Sequence, residues 1–203
     1  MVKEIALTFD DGPWGENTDR LQEILIDRQI PATFMLWGEQ LKQRPEQIAR
    51  VKDNHLFAFG NHTWSHPSLP ELSQENVQAE IQQTADLMMT VLGQQPAFMR
   101  PPYGDMNQQV SRQVSLPIIL WSLDTRSWEH HDANQSIAAL QSIKDGDIVL
   151  LHDSQLADVL ALPTIIDQLQ QADFVFKTIP DLLVERMKAG RIFKSRDEYE
   201  DVI

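Results

Sequence analysis

Short apolar runs alternate with longer amphipathic segments along this chain of 203 residues. The short runs have the length and composition of buried strands, and the longer segments repeat apolar residues at helical spacing. The clearest helix is predicted over Ser73–Leu92, with Ser73 as its N-cap and these apolar positions on one face: Val77, Ile81, Ala85, Met88 and Leu92. A strand followed by a helix, repeated along the chain, indicates a parallel sheet or barrel.

Seven strands and seven helices are predicted from this pattern. The strands are expected at Glu4–Phe9, Ala32–Leu36, Leu56–Phe59, Ala97–Met99, Ile118–Leu123, Ile148–His152 and Phe174–Ile179. The helices are expected at Asn17–Gln29, Pro45–Asp53, Ser73–Leu92, Met106–Val114, Asn134–Ile143, Leu156–Gln171 and Pro180–Lys188. Seven such units predict an α/β fold, a β/α barrel, with its active site at the C-terminal ends of the strands.

Polar side chains cluster where five of the predicted strands end. Asp10 and Asp11 end the first strand and His152 ends the sixth. Polar segments follow the third, fourth and fifth strands: Asn61–His66, Arg100–Gly104 and Asp124–Trp128. Side chains alternate along a strand, so Asp10 shares a face with Thr8. By the same alternation His152 shares a face with Leu150. Both reactive side chains are therefore expected at one mouth of the barrel.

The composition limits the number of domains and the kinds of binding partner that the chain could have. Apolar residues make up 42% and charged residues 23% of the chain, and residues 1–203 are expected to form one domain. Residues 190–203 are expected to be its C-terminal tail, either a peripheral helix or an oligomer contact. Thirty acidic residues against seventeen basic ones give a formal charge of -13, which argues against nucleic acid or an anionic membrane as the main partner. No apolar run is long enough to span a membrane.

The histidine pair in NHTWSHP is a candidate metal site. The chain has no cysteine, so any metal must be bound by His, Asp or Glu. His62 and His66 are four residues apart, a spacing that stacks two imidazoles on one side of a helical turn. Two histidines and one carboxylate leave open positions on a metal, as catalytic zinc sites do. The alternative, two surface or core histidines without a metal, is the commoner situation for such a pair.

The segment TFDDGP places Asp10 and Asp11 side by side at a strand end. If one carboxylate binds a metal, the other can take a proton from nearby water. The alternative is an Asx turn that leads the chain out of the strand.

Three further segments carry candidate chemistry. In RPPYG, Arg100 could pair with an aspartate and the following N–H groups could stabilise an oxyanion, or the segment is an ordinary proline turn. In IVLLHD, His152 is a candidate for proton transfer or a core-edge histidine bonded to backbone. In WSLDTRSWEHHD, Trp121 and Trp128 are expected to pack or to stack on a sugar, and the two histidines are expected to be loop residues.

Taken together and in this order, TFDDGP, NHTWSHP, RPPYG, WSLDTRSW and LLHD closely resemble the motifs of the polysaccharide deacetylases, the NodB-homology domains of carbohydrate esterase family 4. The resemblance runs from about residue 4 to residue 180. It implies an incomplete or distorted β/α barrel that removes acetyl groups from N-acetylated sugars with one divalent metal ion. Zinc is the first expectation, with cobalt, nickel and manganese as alternatives, because a His₂Asp set accepts all four.

By the same resemblance, the metal ligands would be Asp11, His62 and His66. Asp10 would be the general base, and Arg100 would orient it. An amide is a poor electrophile with a poor leaving group, so its hydrolysis needs help at both ends. Two neighbouring carboxylates would divide that work, one binding the metal and the other taking the proton.

The resemblance also implies roles on the far side of the cleft. His152 would be the general acid, and the backbone N–H of Tyr103 would complete an oxyanion hole. Leu150 and Trp128 match the positions that wall the pocket for the acetyl methyl group. Pro101 and Tyr103 are the other expected substrate contacts.

Two segments depart from the family pattern. Family members often carry an aspartate just before the tryptophan of the fourth motif, where it supports the acid histidine, but Ser127 stands there. His152 would then have either a lower pKa or a different partner, with Asp124 and Asp153 as the nearby candidates. The segment LFAFGNH also lacks the polar residues of the family's usual GHEIGNH.

The leading hypothesis is therefore a metal-dependent deacetylase that acts on a polymer or oligomer containing N-acetylglucosamine, such as peptidoglycan or chitin fragments. The alternatives are an acetylxylan esterase or a non-sugar amide hydrolase on the same fold, and a carbohydrate-binding module with weak catalysis. The resemblance implies an extracytoplasmic location, secreted or at the cell surface, with a leader absent from this chain. A cytoplasmic location is the alternative, and the oligomeric state is left open.

Overall fold

The structure is a computed structural model that describes residues 2–201. Its strands are β1 (Lys3–Asp10), β2 (Ala32–Leu36), β3 (Phe57–Asn61), β4 (Ile118–Ile119), β5 (Leu123–Asp124), β6 (Ile148–His152), β7 (Phe174–Phe176), β8 (Arg191–Phe193) and β9 (Tyr199–Asp201). Its α-helices are α1 (Glu16–Asp27), α2 (Gly38–Gln43), α3 (Pro45–Ala49), α4 (Gln74–Leu92), α5 (Gln108–Gln113), α6 (Ser127–His130), α7 (Ala133–Ala139), α8 (Leu156–Gln171) and α9 (Ile179–Leu183). Single-turn helices lie at Leu69–Glu71, Pro102–Gly104, Leu140–Ser142 and Val184–Arg186.

A parallel sheet forms the centre of the fold, in the order β3-β2-β1-β6-β5, with β7 paired to the first half of β1. Single bridges from Asn61 to Met99 and from Met99 to Ile118 continue the curve from β3 to β4. The segment from β4 to β5 therefore pairs with Met99 at its N-terminal end and with β6 at its C-terminal end. The strands curl into a distorted β/α barrel whose ladder is interrupted between β4 and β5, which confirms the expected fold class.

The apolar character of β1 follows from burial on both of its faces. Leu7 and Phe9 pack in the large cluster that the sheet forms with α1 and α8. Ala6 lies on the opposite face, in a second cluster with Met35 and Ile148. Two layers of apolar side chains thus fix the position of β1, and its polar end emerges from the centre of the sheet.

The helix predicted from Ser73 is confirmed as α4. Ser73 Oγ accepts a hydrogen bond from the Asn76 N–H at 3.3 Å, as an N-cap does. The helix ends at Gly93, whose φ of 78° is the left-handed conformation that glycine adopts without strain. In the apolar stripe, Met88 and Leu92 pack in the large cluster of the sheet, and Val77 packs in a third cluster with Met99 and Ile118.

Three predicted strands are wrong in extent. Ala97–Met99 forms no strand, and only Met99 pairs, in single bridges. Ile118–Leu123 is split into β4 and β5, because the carbonyls of its middle residues accept hydrogen bonds from a buried arginine side chain. Phe174–Ile179 ends at Phe176, since the chain turns there into α9.

The C-terminal segment forms a hairpin. β8 pairs in parallel with β4, and β9 pairs in antiparallel with β8. At the turn of the hairpin, Arg196 forms ion pairs with Glu4 and Asp145. The helix alternative for residues 190–203 is therefore wrong for the described part, and residues 202–203 lie outside it. The helices α2 and α6, of six and four residues, were not expected either.

Within residues 2–201, no helix combines the length and the apolar character that crossing a bilayer would need.

Candidate active site

The ends of β1 and β6 lie side by side and form the floor of a cleft. The two strands pair in parallel, with Thr8 opposite Leu150 and Asp10 opposite His152. This register confirms that the two reactive side chains leave neighbouring strands at the same mouth. The cleft has a volume of about 420 Å³ and is lined by Asp10, Asp11, His62, His66, Tyr103, Trp121, Asp124, Trp128, Leu150 and His152.

Asp11, His62 and His66 come together on one side of this cleft. Asp11 Oδ1 lies 3.2 Å from His66 Nε2 and 3.6 Å from His62 Nε2. One nitrogen or oxygen atom of each residue falls within 4.8 Å of the others. The backbones of Asp11 and His66 are left-handed, with φ of 76° and 61°, so the chain turns sharply at both positions. The three side chains converge as ligands around a single ion do.

The outer ring nitrogens of both histidines have partners in the protein. His62 Nδ1 lies 2.8 Å from the carbonyl oxygen of Arg100. A carbonyl can only accept, so Nδ1 carries a hydrogen, and Nε2 is the nitrogen left to bind an ion beside Asp11. His66 Nδ1 lies 3.2 Å from the hydroxyl of Tyr103. One potential ligand atom from each of the three residues converges on the same place, and the hydrogen bond of His62 fixes the tautomer of its ring. This arrangement fits a divalent cation.

The charges around these ligands favour a positive charge at their centre. Burial alone would raise the pKa of Asp11, but hydrogen bonds with His62 and His66 lower it well below its ordinary value. Burial alone would lower the pKa of His62, but the carboxylates of Asp10 and Asp11 raise it. Carboxylate oxygens of Asp10 and Asp11 both lie 3.6 Å from His62 Nε2, and a cation held beside them would balance their charge.

Arg100 is completely buried and holds Asp10 in place. Its Nη1 donates to Asp10 Oδ1 at 2.6 Å and to Thr8 Oγ1 at 2.8 Å. Its Nε and Nη2 donate to the carbonyls of Ile119 and Leu120 at 2.8 and 2.9 Å. The guanidinium thereby fixes Oδ1 of Asp10, and Oδ2 lies 3.6 Å from His62 Nε2.

The predicted substrate contacts lie at different depths. Tyr103 and Trp128 stand at the rim, 66% and 50% exposed, and Leu150 is buried on the floor. The Tyr103 backbone is left-handed, with φ 61° and ψ 2°. Pro101 is buried and is not among the residues that line the cleft. The contacts of these four residues with a substrate stay predictions.

His152 closes the other side of the cleft and is 9% exposed. Burial alone would lower its pKa, but the carboxylates of Asp158, Asp10 and Asp11 raise the pKa to about 8. The imidazole is therefore mostly protonated at neutral pH.

The carboxylate nearest the His152 ring is Asp158, with Oδ2 3.8 Å from Nδ1. The two candidates named from the sequence are engaged elsewhere, because Asp124 accepts from the Arg126 N–H and Asp153 accepts from Thr18. That expectation is wrong, and Asp158 was missed. An acidic residue in the first turn of a helix is common for reasons of the helix dipole, so the sequence offers no signal that singles it out.

Glu80 on α4 was also missed, and it holds the backbone between the two histidines. Its Oε2 accepts from the N–H groups of Trp64 and Ser65 at 2.9 and 2.8 Å, and its Oε1 accepts from Ser65 Oγ at 2.7 Å. In the sequence it is one of several polar residues on a helix. Its role follows only from the packing of α4 against the 62–66 segment.

Replacing Glu80 with alanine is expected to weaken zinc binding about tenfold, because the segment that positions His66 loses three hydrogen bonds. Zinc affinity can be measured on metal-stripped protein by competition with a chromophoric chelator. Glu75→Ala, an exposed position on the same helix, is the matched control and should bind zinc as the parent does. Equal affinities for all three proteins would show that the segment keeps its shape without this carboxylate.

Comparison with known proteins places this geometry in a family. The sequence model of polysaccharide deacetylase matches residues 2–116. The peptidoglycan-N-acetylglucosamine deacetylase PgdA of Listeria monocytogenes is 36% identical over 191 residues, which cover 93% of this chain and 41% of that protein. The chain thus spans about two fifths of the length of that relative.

Two solved structures show the same fold over nearly the whole chain. A T48 deacetylase with substrate has a TM-score of 0.91 at 34% identity, covering 95% of this chain and 97% of its own. A family 4 acetyl xylan esterase from Clostridium thermocellum, in complex with a cobalt ion, has a TM-score of 0.86 at 28% identity, covering 97% of this chain and 100% of its own. The chain belongs to the polysaccharide deacetylase family, the NodB-homology domains of carbohydrate esterase family 4.

Proposed function

We propose that this chain hydrolyses acetyl groups from N-acetylated sugars, in a polymer or oligomer containing N-acetylglucosamine such as peptidoglycan or chitin fragments. The observation that carries the proposal is the pairing of Asp10 and His152 on neighbouring strands, beside the three converging metal-ligand candidates. The name of the Listeria relative, a peptidoglycan-N-acetylglucosamine deacetylase, supports this substrate class.

The residues proposed to hold one divalent ion are Asp11, His62 and His66. Zinc is the first candidate, followed by cobalt, nickel and manganese. The cobalt ion in the related esterase structure supports a divalent ion at such a site. When bound, the ion would polarise the acetyl carbonyl and acidify water in the cleft.

Asp10 is the proposed general base. Arg100 occupies its Oδ1, so Oδ2 is the oxygen that accepts a proton from the attacking water. The neighbouring Asp11 is turned toward His62 and His66 and is not needed for proton transfer. The two adjacent carboxylates therefore divide the work between them.

His152 is the proposed general acid. Its Nδ1 is buried, so Nε2 is the nitrogen that faces the cleft. With a pKa of about 8, the ring holds a proton at neutral pH and donates it to the amine nitrogen as the C–N bond breaks. The backbone N–H of Tyr103 is proposed to stabilise the oxyanion. Leu150 and Trp128 are proposed to bound the site of the acetyl methyl group, and Tyr103 is proposed as a further substrate contact.

We also infer an extracytoplasmic site of action, secreted or at the cell surface, because peptidoglycan lies outside the cytoplasmic membrane. Residues 1–203 are proposed to fold as one catalytic domain, since the C-terminal hairpin pairs with β4.

An acetylxylan esterase is the second candidate function, and the likeness to the Clostridium esterase favours it.

Acetate release tests the proposed function and its dependence on metal. Chelator-treated protein is assayed on chito-oligosaccharides, peptidoglycan fragments and acetylated xylan, before and after addition of zinc or cobalt. Stripping the metal is expected to lower the rate about 100-fold or more, and adding it back should restore the rate on amide substrates. Release from xylan alone would favour the esterase. Release from none of them, by protein that binds one zinc per chain, would contradict the proposal.

A further inference from the structure

Asp158 is a completely buried carboxylate in the first turn of α8. Its Oδ2 accepts hydrogen bonds from Ser127 Oγ at 2.5 Å, from the His152 N–H at 2.8 Å and from Thr125 Oγ1 at 3.2 Å. Its Oδ1 accepts from Ser136 Oγ at 2.9 Å. Four donors satisfy both oxygens, which offsets the cost of burying the carboxylate. An acidic residue stabilises a helix N-terminus even when it is exposed, so this role alone does not explain the complete burial of Asp158.

The same oxygen faces the ring of His152. Oδ2 lies 3.8 Å from His152 Nδ1, and among the described residues this buried nitrogen has no hydrogen-bond partner. A small rotation of the ring would bring the Nδ1 hydrogen within hydrogen-bond reach of Oδ2. A carboxylate at this distance also stabilises an imidazolium.

Other charged or titratable groups face His152, but each has another place in the site. Asp10 and Asp11 come from the end of β1, and Asp153 follows His152 in the chain. Asp124 comes from β5, and His62 and His66 lie across the cleft. Burial raises the pKa of Asp153 to about 7, and its carboxylate accepts from Thr18. Asp158 is the carboxylate bonded to the backbone of His152 and placed beside its Nδ1.

We propose that Asp158 is a positioning residue for His152, which fixes the end of β6, orients the ring and stabilises its imidazolium form. The inference rests on the proposed function, in which His152 is the acid. It also gives Ser127 a role, because this serine does not replace a carboxylate but hydrogen-bonds to one that α8 supplies. The support for the acid therefore comes from a different helix than the family pattern would suggest.

Two variants and one control test this proposal. Asp158→Asn keeps the shape and removes the charge. The double variant Ser127→Asp/Asp158→Ser keeps the same atoms and moves the carboxylate to α6. Ser136→Ala removes one hydrogen bond to Oδ1 and leaves the charge in place. The pKa of His152 is read by NMR titration of the zinc-loaded proteins, with the signal assigned by comparison with His152→Asn, and the pH profile of acetate release is recorded in parallel.

Asp158→Asn is expected to lower the His152 pKa by about one unit, since a neighbouring opposite charge is lost. The basic limb of the rate profile should move down with it, and the rate at pH 8 should fall about fivefold because less of the acid is protonated. The double variant should recover most of both shifts, and Ser136→Ala should change neither by more than a few tenths of a unit.

An unchanged His152 pKa in folded Asp158→Asn would overturn the proposal, whatever its stability. If that variant does not fold, the double variant decides the question: a His152 pKa near that of the parent supports the proposal, and one near the ordinary 6.5 overturns it. The NMR titration needs no turnover, so a failure of the proposed deacetylase activity would leave this test readable.

Discussion

Replacing Asp10 with asparagine is expected to lower kcat for acetate release by about 10² to 10⁴, while one zinc ion stays bound per chain. The asparagine carbonyl can still accept the hydrogen bond from Arg100, so the local structure is kept. An amide cannot take a proton from water at neutral pH, so the base is lost without a change in shape. The three proposed metal ligands are untouched, which separates loss of the base from loss of the ion.

The measurement pairs acetate release with zinc content by mass spectrometry. Asp86→Asn, an exposed position on α4, is the control for the same chemical change away from the cleft and should keep the parent rate. A rate for Asp10→Asn within a few-fold of the parent would show that another group takes the proton.

Replacing Arg100 with methionine is expected to have the largest effect on stability, a loss of about 3–5 kcal/mol in the free energy of unfolding. The guanidinium is completely buried, and its removal leaves the Asp10 carboxylate without its cationic partner. The carbonyls of Ile119 and Leu120 lose their donors at the same time. The rate should also fall, because nothing then fixes Oδ1 of Asp10.

Urea unfolding of the metal-stripped protein measures this loss, with Arg20→Met on the exposed side of α1 as the control. The double variant Arg100→Met/Asp10→Asn is the sharper test. If the cost arises from an uncompensated carboxylate, the double variant should be less destabilised than the sum of the two single changes. Simple additivity would mean that Arg100 acts through its hydrogen bonds to the carbonyls alone.

Those parts of the fold that depend on local periodicity could be predicted from the sequence. The placement of Asp10 and His152 at one mouth follows from alternation along two apolar strands, and α4 follows from a cap and a stripe. The break between β4 and β5 could not be predicted, because it depends on a side chain from residue 100 that takes the carbonyls of residues 119 and 120. The local propensities of residues 118–123 do not reflect a contact with a residue so far away in the sequence.

The same limit explains the outcome at the candidate site. Asp10, Asp11, His62, His66 and His152 line one cleft as expected, because they lie at or just after the C-terminal ends of β1, β3 and β6. Asp158 and Glu80 accept from backbone N–H groups six and sixteen residues earlier in the chain, outside their own helices, and neither belongs to a motif. Residues of this kind become visible only when the packing of the helices is known.

The C-terminal hairpin has a consequence for the solubility of the protein. β8 occupies the outer side of β4, and without it the N–H and C=O groups of β4 would form an open sheet edge. Open edges invite pairing between molecules, so a chain cut before Gly190 should aggregate more readily than the full chain. The edge also lies close to the cleft, because β4 ends at Ile119, whose carbonyl accepts a hydrogen bond from Arg100. Proteolytic trimming of the hairpin is therefore expected both to promote self-association and to loosen the strand that supports Arg100.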